Sequence, residues 1–127
     1  MKNLAQVRAA SAVTFAKSPV EKRGRDGGEA IKKIPPMIAS NGLLAAIAFS
    51  IESKKDGLQR PGYSAIFDAI AGHLKSPEIA ITSDSGDARS LLDELVECDS
   101  QILKLATAET MEWLAYARRF VSPDRAL

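Results

Sequence analysis

Few residues in this 127-residue chain could carry bond-making chemistry, and they are scattered. There is one histidine, His73, and one cysteine, Cys98. A zinc site needs several His, Cys or carboxylate ligands at close spacing, and His73 has no second histidine and no Cys or Ser nucleophile to pair with. Its place near a helix C-terminus suits a capping or solvent-facing residue. Asp93, Glu94 and Glu97 could do acid–base or metal work if they lined a cleft. On one short amphipathic helix they read as a solvated acidic face. Asp84-Ser85-Gly86-Asp87 hints at calcium, but the spacing fails, since position 95 is Leu where an EF-hand loop ends in glutamate. Gly24, Gly27 and Gly28 follow no strand and precede no Gly-Lys-Ser/Thr, so a nucleotide loop is not expected. No catalytic constellation, cofactor site or metal site can be assembled, and an enzyme is not expected.

The remaining chemistry is ionic. Net charge is +1, so the whole chain is no strong polyanion binder. Residues 1–75 carry 12 Lys/Arg and 6 Asp/Glu, whereas residues 76–127 carry 5 and 10. That division is either a basic surface for phosphates and a head-to-tail stacking dipole, or solvated charges that the fold mixes in space. Arg118 and Arg119 have two readings, as phosphate contacts or as cations favoured in the last turn of a helix. Ser18 to Gly28 is a basic, mobile loop with Lys22, Arg23 and Arg25, either a phosphate-contacting arm or a solvated linker.

Helices must position these residues. Alanine and leucine dominate, aromatics make up 6%, and charged residues 26%, a balance that favours one all-α globular domain over residues 1–127. A single cysteine fits a reducing cytoplasm. Lys2 and Arg8 interrupt any apolar leader, and no apolar run is long enough to span a membrane.

The chain is organised around Pro35 to Lys55. Leu43 to Phe49 is apolar on every side, which predicts a central helix surrounded by others. Asn41-Gly42 inside it is a close-packing point or a break between coaxial helices. Pro35-Pro36 is expected to bend or break the preceding segment, Glu29 to Ile34. Lys54 and Lys55 close the central helix and complement its dipole. Before it, a helix from Asn3 to Lys17 turns Leu4, Val7, Ser11, Thr14 and Phe15 inward and Arg8 and Lys17 to water. After it, Pro61 opens a helix with the stripe Tyr63, Ile66, Phe67, Ile70 and Leu74. Ser76 to Gly86 is a loop whose Ile79–Ile81 packs down or extends, and Asp84 or Ser85 caps the helix 87–97. The last helix, 99–121, has Ile102, Ala106, Thr110, Trp113, Leu114 and Ala117 on one arc. The sum is a compact all-α bundle of about five to six helices.

Two motifs carry a resemblance. The first is Lys32-Lys33-Ile34-Pro35, then Ile38-Ala39-Ser40-Asn41-Gly42-Leu43, then Ala48-Phe49. The second is Ala106-Thr107-Ala108-Glu109, Trp113-Leu114 and Arg118-Arg119-Phe120. Over residues 1–121 the chain resembles the small subunit of type III-B (Cmr) CRISPR–Cas effector complexes. It departs from that pattern at Ile102 and Leu103, where the family often has an aromatic residue.

The resemblance implies a non-catalytic, architectural subunit of an antiviral ribonucleoprotein. Its partners would be the backbone and large subunits of the complex, copies of itself in a minor filament, and target RNA paired to guide RNA. Lys32, Lys33, Lys54, Lys55, Arg118 and Arg119 become the candidate phosphate contacts. With no aromatic cluster, recognition would be of backbone and duplex shape. The other reading is a helical adaptor that binds a partner protein without RNA.

Overall fold

The computed structural model describes residues 3–17, 27–52 and 61–121. Among them are six helices and no strand: α1 (Leu4–Lys17), α2 (Gly27–Asn41), α3 (Leu43–Ile51), α4 (Pro61–Lys75), α5 (Ala88–Glu97) and α6 (Ser100–Phe120). The bundle is all-α, as composition predicts. None of these helices is long and apolar enough to cross a membrane.

Asn3 caps α1 as expected. Its Oδ1 accepts the Gln6 N–H at 2.9 Å, and Gln6 Oε1 accepts the Asn3 N–H at 2.9 Å, a reciprocal box at the helix start.

The Pro35-Pro36 pair does not break α2, which runs unbroken from Gly27 to Asn41. Each proline removes a helical hydrogen bond, a penalty of about 3 kcal/mol in a helix interior. Ala30, Ile31, Ile34 and Ile38 bury one face of the same helix. Each buried isoleucine contributes roughly 1.5–3 kcal/mol, enough to offset the prolines. The chain breaks instead at Gly42, with φ +92°. A Cβ at Gly42 would meet nothing within 4 Å, so glycine is needed there for its backbone conformation and not for close packing.

α3 is less central than its composition predicts. Leu43, Ala46, Ile47 and Ser50 are buried, but Ala45 and Ala48 are exposed. Exposed alanines forfeit little apolar area, so an apolar helix need not be enclosed. Ser50 is satisfied by donating to the Ile47 carbonyl at 2.6 Å. Phe49 meets Tyr63 edge-on, with ring centroids 5.3 Å apart, and ties α3 to α4.

α4 forms the middle of the core. Ile66, Phe67, Ile70, Ala71 and Leu74 have no exposed surface, and α4 packs against α2, α3, α5 and α6. The segment after it is turns, not an extended piece. The Ile81 and Thr82 N–H groups both donate to the Leu74 carbonyl, at 2.9 and 3.2 Å.

The cap of α5 is Asp87 rather than Asp84 or Ser85. Its Oδ1 accepts the Ser90 N–H at 2.8 Å, while Ser90 Oγ accepts the Asp87 N–H at 3.2 Å. Asp68 Oδ1, from α4, takes a second free donor, the Ala88 N–H, at 2.8 Å. α6 starts on Asp99, whose Oδ1 accepts the Ile102 N–H at 3.0 Å. Its Ala106, Thr110, Trp113, Leu114 and Ala117 are buried, and Lys104, Ala108, Glu112, Ala115 and Arg119 face water as their spacing predicts.

Candidate nucleic-acid interface

Lys32 and Lys33 are exposed on α2, between the buried Ile31 and Ile34. Arg118 and Arg119 are exposed in the last turn of α6, between the buried Ala117 and Val121. Each pair is therefore pushed outward by the core residues on either side of it, and α2 packs against α6. Among the described residues, Lys32, Arg118 and Arg119 form no ion pair. Arg119 edges a shallow depression of about 240 Å³ with Glu112, Ala115 and the half-buried Tyr116. An arginine fork beside a phenol suits phosphate and sugar contact. Lys54 and Lys55, like most of the loop 18–28, lie outside the described residues.

The structure also assembles a buried polar cluster that spacing alone left in pieces. Glu109, on α6, is 7% exposed. Its Oε1 accepts from Arg8 Nη2 at 2.8 Å and its Oε2 from Arg8 Nε at 2.8 Å. His73 Nε2, on α4, lies 2.9 Å from the same Oε2. Arg8 also reaches Glu112, 4.0 Å away. Arg8 thus turns inward, where water was expected, and His73 is buried, where a cap or solvent residue was expected. The half-buried arginine is held against the core because a carboxylate meets it with fork geometry.

Burial pushes the Glu109 carboxyl up, but the hydrogen bonds from Arg8 and His73 outweigh it and hold it below the usual carboxylate range. The Arg8 guanidinium is raised by its hydrogen bonds to Glu109, against the pull of burial. Trp113 Nε1–H donates to Ser11 Oγ at 2.9 Å beside this cluster.

His73 lines a groove between α1 and α4 with Ser11, Thr14 and Ser76. Those hydroxyls serve the fold. Ser11 accepts from Trp113, Thr14 donates to the Ala10 carbonyl at 3.0 Å, and Ser76 to the His73 carbonyl at 2.8 Å. None is bonded to the imidazole, so no nucleophile–base pair is set up.

The acidic helix is only partly a solvated face. Asp93 and Glu97 are exposed, but Glu94 accepts from the Ser83 N–H at 2.9 Å and from the Ser85 hydroxyl. Burial pushes Glu94 up, and these serine bonds outweigh it and bring it below its ordinary value. Among the described residues no group of three His, Cys, Asp or Glu side chains is placed to hold a metal.

The family model described as CRISPR-associated protein (Cas_Cmr5) matches residues 4–123. No curated protein and no solved structure matches the chain. The matched span takes in all six helices, both sequence motifs, and the residues that form the buried cluster. The chain therefore belongs to the CRISPR-associated Cas_Cmr5 family, which makes it a component of a Cmr complex, the small subunit of type III-B.

Proposed function

We propose that this chain acts as a non-catalytic, architectural subunit. One helical-bundle domain, in the cytoplasm, stacks with copies of itself and accommodates target RNA against guide RNA. Lys32, Lys33, Arg118 and Arg119, with Lys54 and Lys55, contact phosphates. The observation that supports this reading is the exposure of Lys32, Arg118 and Arg119 with no carboxylate partner among the described residues. Such cations release counterions when they meet phosphates, whatever the base sequence. The non-catalytic part is supported by the groove hydroxyls of Ser11, Thr14 and Ser76, which are held by partners other than the His73 imidazole.

The second reading, an adaptor that binds protein only, is favoured by Val96 and Leu105, which are 59% and 55% exposed on α5 and α6. Charge reversal of Lys32, Lys33, Arg118 and Arg119 together separates the two. In the assembled complex, target-RNA affinity should fall at least tenfold, and the salt slope should flatten by about 3, with helicity unchanged. Unaltered affinity and slope would leave the adaptor.

A further inference from the structure

The groove between α1 and α4 is open as it stands, with a volume of about 490 Å³. Its walls are apolar and, on α4, small: Val7 and Phe15 face Ala65, Ala69 and Gly72. A Cβ added at Gly72 would meet nothing within 4 Å, so the space above that turn of α4 is free. Small side chains there let another backbone come close to α4.

The polar groups along the groove are mostly acceptors. Thr14 and Ser76 give their hydroxyl protons to the Ala10 and His73 carbonyls, so either oxygen can only accept more. His73 lines the groove and is 3% exposed. The Glu109 carboxyl is held below its usual range, so it is ionised and can only accept, which puts the shared proton on His73 Nε2. Nδ1 is then an acceptor, and it has no partner among the described residues. Glu78, two residues beyond Ser76, also lines the groove; it is exposed and forms no ion pair among the described residues. Ser11, which accepts from Trp113, keeps a proton to donate. Acceptors therefore outnumber donors, and one of the acceptors is charged.

Such a lining suits a donor-rich cation on an apolar stem. A guanidinium is that group, a permanently charged fork of N–H donors behind a run of methylenes. We propose that this groove receives an arginine side chain from a partner protein. The methylenes lie along Val7, Phe15 and Ala69, and the guanidinium donates to His73 Nδ1 and Ser76 Oγ beside the Glu78 carboxylate. The groove is open along its length, so the partner's backbone can pass over the small residues of α4 while its side chain is held. The groove is built from α1 and α4, whereas Lys32, Lys33, Arg118 and Arg119 are on α2 and α6, so the inference does not depend on RNA contact.

The test titrates the isotope-labelled full chain with N-acetyl-arginine amide at pH 7 and follows its amide NMR shifts. The shifts should centre on Ser11, Thr14, Gly72, His73 and Ser76 and saturate with a millimolar dissociation constant, as for one side chain. The uncharged isostere N-acetyl-citrulline amide should bind at least threefold more weakly, and Glu78→Gln should weaken the arginine probe about threefold. Gly72→Leu fills the free space with no obstacle at Cβ and should abolish binding with helicity unchanged. No saturable shift, equal binding of the citrulline probe, or undiminished binding by Gly72→Leu would overturn the proposal. Tighter binding of free spermidine than of the arginine probe would overturn its assignment to a partner's side chain. If Gly72→Leu does not fold, the arginine and citrulline probes on the parent decide alone.

Discussion

Replacing Glu109 by Gln tests the buried cluster most directly. The carboxylate, 7% exposed, accepts two bonds from Arg8 and lies within bonding distance of His73. Hydrogen bonds to a charged group contribute about 1.5–3 kcal/mol each. The amide keeps one acceptor oxygen, and Arg8, whose side chain is 19% exposed, recovers some hydration. The net loss should be about 2–4 kcal/mol, a large share of the roughly 5–15 kcal/mol that holds a domain together.

The loss must also depend on pH. The folded Glu109 pKa is depressed, after the Arg8 and His73 bonds outweigh burial. Its contribution is therefore fully present above the unfolded glutamate value, about 4.3, and is lost as pH falls through the lower folded value. Urea unfolding at pH 7, 4.5 and 3 should show the gap between parent and Glu109→Gln widest at pH 7 and narrowing in acid. A gap under about 0.5 kcal/mol at pH 7, or one that does not change with pH, would refute the assignment.

Two further substitutions probe the scaffold. Thr110 is fully buried and its hydroxyl has no hydrogen-bond partner, so the near-isosteric Thr110→Val should raise stability by roughly 0.5–1 kcal/mol in the same titration. Gly42→Ala meets no steric obstacle but must hold φ +92°, so it should lower stability by about 1–2 kcal/mol despite alanine's higher helix propensity.

The polar cluster was partly legible. At 100° per residue Glu109 falls about 20° from Ile102, on the buried arc of α6. His73 lies seven residues after Ile66 and three after Ile70, on the inward stripe of α4, and Arg8 lies seven before Phe15. Each polar residue thus sits at helical spacing from buried positions, although the charge of Arg8 and the helix-end place of His73 led to a solvent-facing assignment for both. What periodicity could not reveal is that three charge-bearing groups on three helices converge on one point, 101 residues apart in sequence for Arg8 and Glu109. Asp87 was legible in the same way, since Asp-x-x-Ser is a capping pattern, but Asp84 and Ser85 compete for the role until the loop is placed. Exposed cations carry no such periodic mark, so nothing in spacing distinguishes a phosphate contact from a solvated lysine.

Composition and periodicity by themselves determined that this chain is all-helical, where most helices start and stop, and which stripe of α4 and α6 faces the core. These are local properties, set by propensity, caps and the 3.6-residue repeat. Tertiary structure alone decided three things. α2 survives Pro35-Pro36 because its isoleucine face is buried. The chain breaks at Gly42, where the backbone must take a positive φ. Arg8, His73 and Glu109, on three different helices, meet at one point. For α2 and for the polar cluster the deciding free energy comes from contacts with other helices, which no window along the sequence contains.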